Sequence, residues 1–417
     1  MNNEAPSLIR KHWRILTAAT VGWALDAFDM TIFFFLIPHL SKEFDVSLSA
    51  MTLIVVVTGI AKLIGTVTFG AAADKWGRKI PFMVAIIWFC AFSGLSGLAW
   101  SYASFVVFRF MFGIGFGGEW STATSLLMES LPERVRSLAS GLMMAGYEMG
   151  FFLSAFCYYV VYPELGWRWM FFLGVIPALL AIFVRMSIPE SPEWLESRKQ
   201  PKEKVKKRLT LTPAVWQGFG VMASANFLVY AIFALYPTYL IQVRGLNPAE
   251  VFPYIATYSI ASIIGKPLAG VIAKRIGERT LFMIYMVLTI PATLLYTLID
   301  AKWAMFAGAV LVGIISNSIF GIIPTYLSRR FKPEERGLGI GISNGFNAIG
   351  NLAPFIISIF TAMYGLSVSM TGSIILSAAL LFIIASFKTD KWIVVPEVLL
   401  RGKTEKSISS VPSKDFK

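Results

Sequence analysis

The sequence predicts an all-α membrane protein: twelve transmembrane helices in two pseudo-symmetric six-helix bundles. Three observations predict it. The first is polarity: 56% of the 417 residues are hydrophobic and 15% are charged, against about 25% charged in a soluble globular chain. That length holds roughly twelve spans of about 20 residues with short loops. The second is where positive charge falls. With the N-terminus taken as cytoplasmic, four of the 37 Lys and Arg residues lie on the opposite side: Lys42, Arg168, Arg244 and Lys302. Four more lie within spans: Lys62, Arg109, Arg185 and Lys266. All others fall in the N-terminus, the even-numbered loops and the C-terminal tail, which is the positive-inside pattern. It predicts a cell-membrane protein with both termini cytoplasmic. The net charge of +13 therefore reports topology and points to a lipid bilayer, with no nucleic-acid partner expected. The third is an internal repeat. A shift of 200 residues superposes Gly65 on Gly265, Gly70 on Gly270, Gly77 on Gly277, Gly113 on Gly313, Gly141 on Gly341, Gly150 on Gly350 and Arg136 on Arg336. Parallel repeats of this kind put a binding site near the midplane, between the halves.

Taken in order, the first six spans are expected near 14–40, 49–72, 80–99, 102–128, 137–163 and 167–188. The second six are expected near 213–241, 249–273, 279–299, 302–328, 336–364 and 367–387. The domains follow: 1–188 and 213–387 as six-helix bundles, 189–212 as a basic cytoplasmic linker, and 388–417 as a cytoplasmic tail. Arg10, Lys11 and Arg14 precede an apolar run too long for a signal-peptide core, so the first span is expected to be retained. Cys90 and Cys157 sit in apolar runs and read as core residues. His12 and His39 do not cluster with other ligands, so no metal and no cofactor is expected. Pro38, Pro237, Pro291, Pro324 and Pro354 are expected to kink or end helices.

The first span carries Asp26 and Asp29, three apart and on one face. A charge at the centre of a span costs about 2.5–3.5 kcal/mol on insertion scales, so such residues face protein or a water-filled path and mark transport. Lys62, Arg109, Glu119, Glu148 and Lys266 join them at membrane depth. A desolvated carboxylate exchanges a proton more readily at ordinary pH. The proton-coupling candidates are Asp26, Asp29, Glu119 and Glu148, with Asp29 favoured as carrier and Asp26 as its modulator. Lys62 and Arg109 are the candidate cations for an anionic substrate. Arg109 reads equally well as a structural residue paired with a carboxylate. Lys266 is expected to snorkel to the cytoplasmic surface. The C-terminal half supplies amides and rings: Asn226, Tyr230, Asn317, Asn344, Asn347 and Asn351, the last three spaced to share one face of the eleventh span. Tyr147 is the 200-residue counterpart of Asn347, so both are expected to face the substrate path.

The loop after the second span reads Gly70-Ala-Ala-Ala-Asp74-Lys75-Trp76-Gly77-Arg78-Lys79. Gly70 permits close helix approach, Asp74 suits a helix N-terminus, and Arg78 holds the turn at the cytoplasmic side. The stretch resembles the G-x3-D-x2-G-R-R/K gating loop of the major facilitator superfamily. Its second copy, Gly270-Val-Ile-Ala-Lys274-Arg275-Ile-Gly277, lacks the Asp, so the gating ion pair is expected in the N-terminal half. Arg109-Phe-Met-Phe-Gly113-Ile-Gly115 resembles that superfamily's R-x3-G-x-G motif. Asp26-Ala-Phe-Asp29, Gly117-Gly118-Glu119-Trp120 and Gly166-Trp-Arg-Trp-Met170 resemble its proton-coupled organic-acid symporters.

The resemblance implies the major facilitator fold and alternating access. It implies proton-coupled symport of a small organic acid, by a monomer. The alternative is a sugar or other metabolite carrier of the same superfamily. The fifth span lacks the proline of drug antiporters, and no nucleophile–base arrangement supports an enzyme.

Overall fold

The computed structural model describes residues 13–77, 79–118, 133–186, 210–331 and 345–389, together with positions 339, 342 and 343. Twelve helical spans run through them. The N-terminal half holds α1 (Trp13–Glu43), α2 (Leu48–Trp76), α3 (Lys79–Gly97), α4 (Tyr102–Gly117), α5 (Glu133–Val160) and α6 (Tyr162–Met186). The C-terminal half holds α7 (Pro213–Gln242), α8 (Pro248–Ile276), α9 (Glu278–Thr297), α10 (Lys302–Leu327), α11 (Ala348–Tyr364) and α12 (Leu366–Ser386). With an even number of spans, both ends of the described chain lie at one end of the bundle, the termini end.

Within the first half, α1 packs on α5, α4 on α2 and α3, and α3 on α6. The second half repeats this: α7 meets α11, α8 and α9 meet α10, and α9 meets α12. The repeat extends to atoms. A Cβ on Gly113 of α4 would stand 2.6 Å from the Thr58 carbonyl and 2.8 Å from the Ala61 methyl. One on Gly313 of α10 would stand 2.7 Å from the Tyr258 carbonyl and 2.9 Å from the Ala261 methyl. Both partners are shifted by the same 200 residues. Small residues let these backbones touch where lipid gives no hydrophobic drive for association. Gly77 and Gly277 close α2 and α8 with φ of 96° and 86°, a conformation that favours glycine.

Two spans of the second half are broken at proline. α7 is interrupted between Phe233 and Tyr236, with Pro237 opening its final segment. α10 passes through a π turn (Val312–Ser316) and a 3-10 turn (Asn317–Gly321) before Ile323–Ser328. Pro324 has no N–H for the carbonyl of residue 320, so the regular ladder fails there. The irregular turn reorients Asn317.

The halves meet along α5–α8, α5–α10, α2–α11 and α1–α7. At the far end they are closed. Phe34 lies edge-on to Phe233 at 5.3 Å, Tyr159 stacks on Phe252 at 5.4 Å, and the Thr52 and Ser358 hydroxyls are 2.8 Å apart. At the termini end the close approach foreseen for Gly70 is not seen among the described residues: nothing lies within 4 Å of a Cβ built there.

Candidate functional site

Between the halves lies a cavity of about 1150 Å³, open mouth included. Its lining comes from the termini-end halves of α2, α4, α8, α10 and α11 and from the middles of α1, α5 and α7. The aromatic closure at the far end therefore forms its roof. Trp23 and Tyr147 stand 5.7 Å apart by ring centroid, Tyr147 and Phe233 5.8 Å, and Tyr230 and Phe233 5.2 Å. These rings give a mainly apolar wall, the usual composition of a small-molecule site with a few convergent polar groups.

Of the residues singled out in the sequence, Lys62, Tyr147, Glu148, Asn226, Tyr230 and Asn317 line this cavity. Asp26, Asp29 and Arg109 do not; they pack behind it. Asp29 accepts a hydrogen bond from Ser93 Oγ, and Gly174 leaves room for its carboxylate: a Cβ there would stand 2.6 Å from Oδ1. Arg109 is 0% exposed, with its guanidinium carbon 4.1 Å from the Phe112 centroid, 5.3 Å from Phe33 and 5.8 Å from Phe171. Its three nitrogens make no hydrogen bond among the described residues, and its charge faces that of Asp29. The R-x3-G-x-G stretch thus contributes an enclosed cation and a packing seam. Lys62 lies over the Phe116 ring at 4.8 Å and faces the charge of Asp26. Glu119, Arg78 and Asn344 lie outside the described residues, as do the side chains of Asp74 and Asn347.

Lys266 corrects the sequence reading. It does not snorkel. It is 3% exposed, lines the cavity, and its Nζ lies 2.9 Å from Oε1 of Glu148 and 3.1 Å from the Met144 carbonyl. Its stem cannot follow α8 outward, because Gly321 of α10 seats against its backbone and Gly141 of α5 against Pro267. Asn317 Nδ2 donates to the same Glu148 oxygen at 2.8 Å and to Ser262 Oγ at 3.0 Å. Asn351, on the amide face expected of the eleventh span, lines the cavity as well; Trp23 and Phe233 also line it and were not picked out. The repeat carried a signal for Lys266: its counterpart Thr66 lines the cavity too.

At mid-membrane depth the described residues thus hold three carboxylates facing three cations: Asp26 with Lys62, Asp29 with Arg109, and Glu148 with Lys266. The first two pairs lie within the N-terminal half. The third joins the two halves. His39 Nε2 and Tyr158 Oη are 2.7 Å apart near the far end, and no metal-ligating cluster occurs among the described residues.

Known proteins share this architecture. The D-xylose–proton symporter matches with a TM-score of 0.70 at 20% identity, over 89% of this chain and 97% of that one. A bacterial homologue of the lysosomal transporter Spinster, inward-facing and unoccupied, matches with a TM-score of 0.68 at 17% identity, over 92% and 98%. In sequence, the sialic acid transporter NanX of Escherichia coli K12 is 29% identical over 90% of this chain and 93% of its own length. The benzoate transport protein of Acinetobacter baylyi is 25% identical over 81% of each. The Major Facilitator Superfamily model matches residues 19–257 and 254–407, so the chain belongs to the Major Facilitator Superfamily.

Proposed function

We propose that this membrane transporter couples proton entry to the uptake of a small organic acid by alternating access. The supporting observation is the charge arrangement. Two ammonium groups, Lys62 and Lys266, border one cavity in a set of three carboxylates and three cations. An entering anion upsets that balance in a low-dielectric site, and one bound proton restores it. The cargoes named for relatives agree in charge: sialic acid, benzoate and cis,cis-muconate are acids. Lys62, Tyr147, Asn226, Tyr230 and Asn317 would contact the substrate. Asp26, Asp29, Glu119 and Glu148 are the proton-coupling groups, and Arg109 acts by holding Asp29. With both termini cytoplasmic, as the positive charge predicts, the cavity opens inward in a monomer in the cell membrane. Gly70, Asp74, Gly77 and Arg78 would form the gate at that end.

The test is proton uptake into sodium-free proteoliposomes loaded with a pH dye, with acids and sugars added singly and protonophore controls. Acidification that requires both the protein and an acid is expected. Uptake of a radiolabelled acid or sugar with no change in pH would overturn the reading.

A further inference from the structure

We propose that Lys266 anchors the carboxylate of the substrate and that Glu148 accepts the coupled proton, so that anion and proton share one ion pair between the two halves. This rests on the organic-acid reading above, and goes beyond it by assigning the exchange to two side chains.

The geometry separates this pair from the other two. Glu148 and Lys266 are 1% and 3% exposed, yet both line the cavity. Arg109 is enclosed by three rings and lies outside the lining. Lys62 borders the cavity, but its counter-charge, Asp26, belongs to the same half. Lys266 alone among these cations takes its partner from the opposite half, α8 to α5. An ammonium has three donors. Two of those of Lys266 are engaged, by Glu148 and by the Met144 carbonyl. In the same place Oδ1 of Asn317 is buried, with the Tyr258 side chain beside the amide, and makes no hydrogen bond among the described residues, leaving an acceptor for a hydroxyl or a protonated group.

The exchange balances. A substrate carboxylate takes the place of Glu148 as counter-ion to Lys266, and Glu148 takes up one proton to become a neutral acid. One anion and one proton enter, and net charge is unchanged. The neutral acid keeps a carbonyl oxygen that still accepts from Asn317 Nδ2. Partial loading is disfavoured in both directions. A proton without substrate leaves a buried, unpaired ammonium, and substrate without a proton leaves a buried, unpaired carboxylate. The same pair ties α5 to α8, so the exchange also moves the bond between the halves onto the substrate.

Among the described residues the groups facing Glu148 are few. Lys266 and Tyr258 come from α8, Tyr296 from α9, the amide of Asn317 from α10, and Tyr147 from its own helix. The α1 carboxylates are engaged elsewhere, Asp29 by Ser93 and Arg109 and Asp26 by Lys62.

The test measures binding of benzoate, cis,cis-muconate and sialic acid to the purified full chain from pH 5 to pH 8. It is paired with counterflow exchange and pH-gradient-driven accumulation in proteoliposomes. In the wild type, affinity should fall as pH rises, by at most about tenfold per pH unit for one linked proton. Glu148→Gln should bind with the low-pH affinity at every pH and keep counterflow, but lose gradient-driven accumulation. Glu148→Asp should restore the pH dependence. Lys266→Gln should weaken binding by at least about tenfold, and Lys266→Arg should retain most of it. A Glu148→Gln protein with the pH profile of the wild type, or a Lys266→Gln protein with its affinity, overturns the proposal while leaving proton-coupled acid transport standing. A wild type that binds none of the acids overturns both.

Discussion

Arg109 carries a charge into a setting with almost nothing to solvate it. Three phenylalanine faces surround the guanidinium, and each such contact contributes about 1–2 kcal/mol when desolvated. Its counter-charge is Asp29, held in turn by Ser93 and accommodated by Gly174. Neither charge belongs in that position alone. Removing one partner of a buried pair costs about 3–5 kcal/mol, because the other is left uncompensated. Asp29→Asn and Arg109→Gln should therefore each lower the melting temperature in detergent by several degrees. The double variant should lose clearly less than the two singles added. Additive losses would mean that the two charges do not depend on one another.

At the level of the helix, close backbone approach decides what each glycine tolerates. Gly313 sits against the Tyr258 carbonyl and the Ala261 methyl, whereas Gly372 on α12 has nothing within 4 Å. Gly313→Ala should reduce the yield and melting temperature of folded protein, and Gly372→Ala should leave both near wild type. Equal behaviour of the two would remove the packing explanation. The seam at Gly313 was legible in sequence, since a 200-residue shift superposes it on Gly113, and both halves then reproduce the same contacts. The spans were legible because their apolar runs are long and their loops charged. The path of α10 was not. Pro324 announces a break, but nothing in the run Val312–Gly321 announces a π turn followed by a 3-10 turn. That turn is what carries Asn317 to Glu148. Lys266 was misjudged for a related reason. Its depth along α8 permits snorkelling, and only the packing of α5 and α10 against α8 rules it out.

Across the whole molecule, the two ends of the inter-half seam are in opposite conditions. The far end is shut by rings and by the Thr52–Ser358 hydroxyl contact, while near the termini end no described residue lies within 4 Å of a Cβ at Gly70. Alternating access requires the far end to part and the termini end to close, and rocking of one half against the other does both. A bond across the far end should therefore arrest the cycle in this one state. The Thr52 and Ser358 side-chain oxygens are 2.8 Å apart, near enough for a disulfide of about 2.05 Å after small adjustment. Cys90 is buried and Cys157 half-buried, and neither is in a disulfide, so both would first be replaced by Ser. In that background, oxidised Thr52→Cys/Ser358→Cys should lose uptake and recover it on reduction. Binding to the detergent-solubilised protein should survive oxidation, because the cavity is reached from the termini end. Undiminished uptake by protein shown by mass to be fully cross-linked would mean that α2 and α11 need not separate there. Rocking about the midplane would then be the wrong description of how the two halves move.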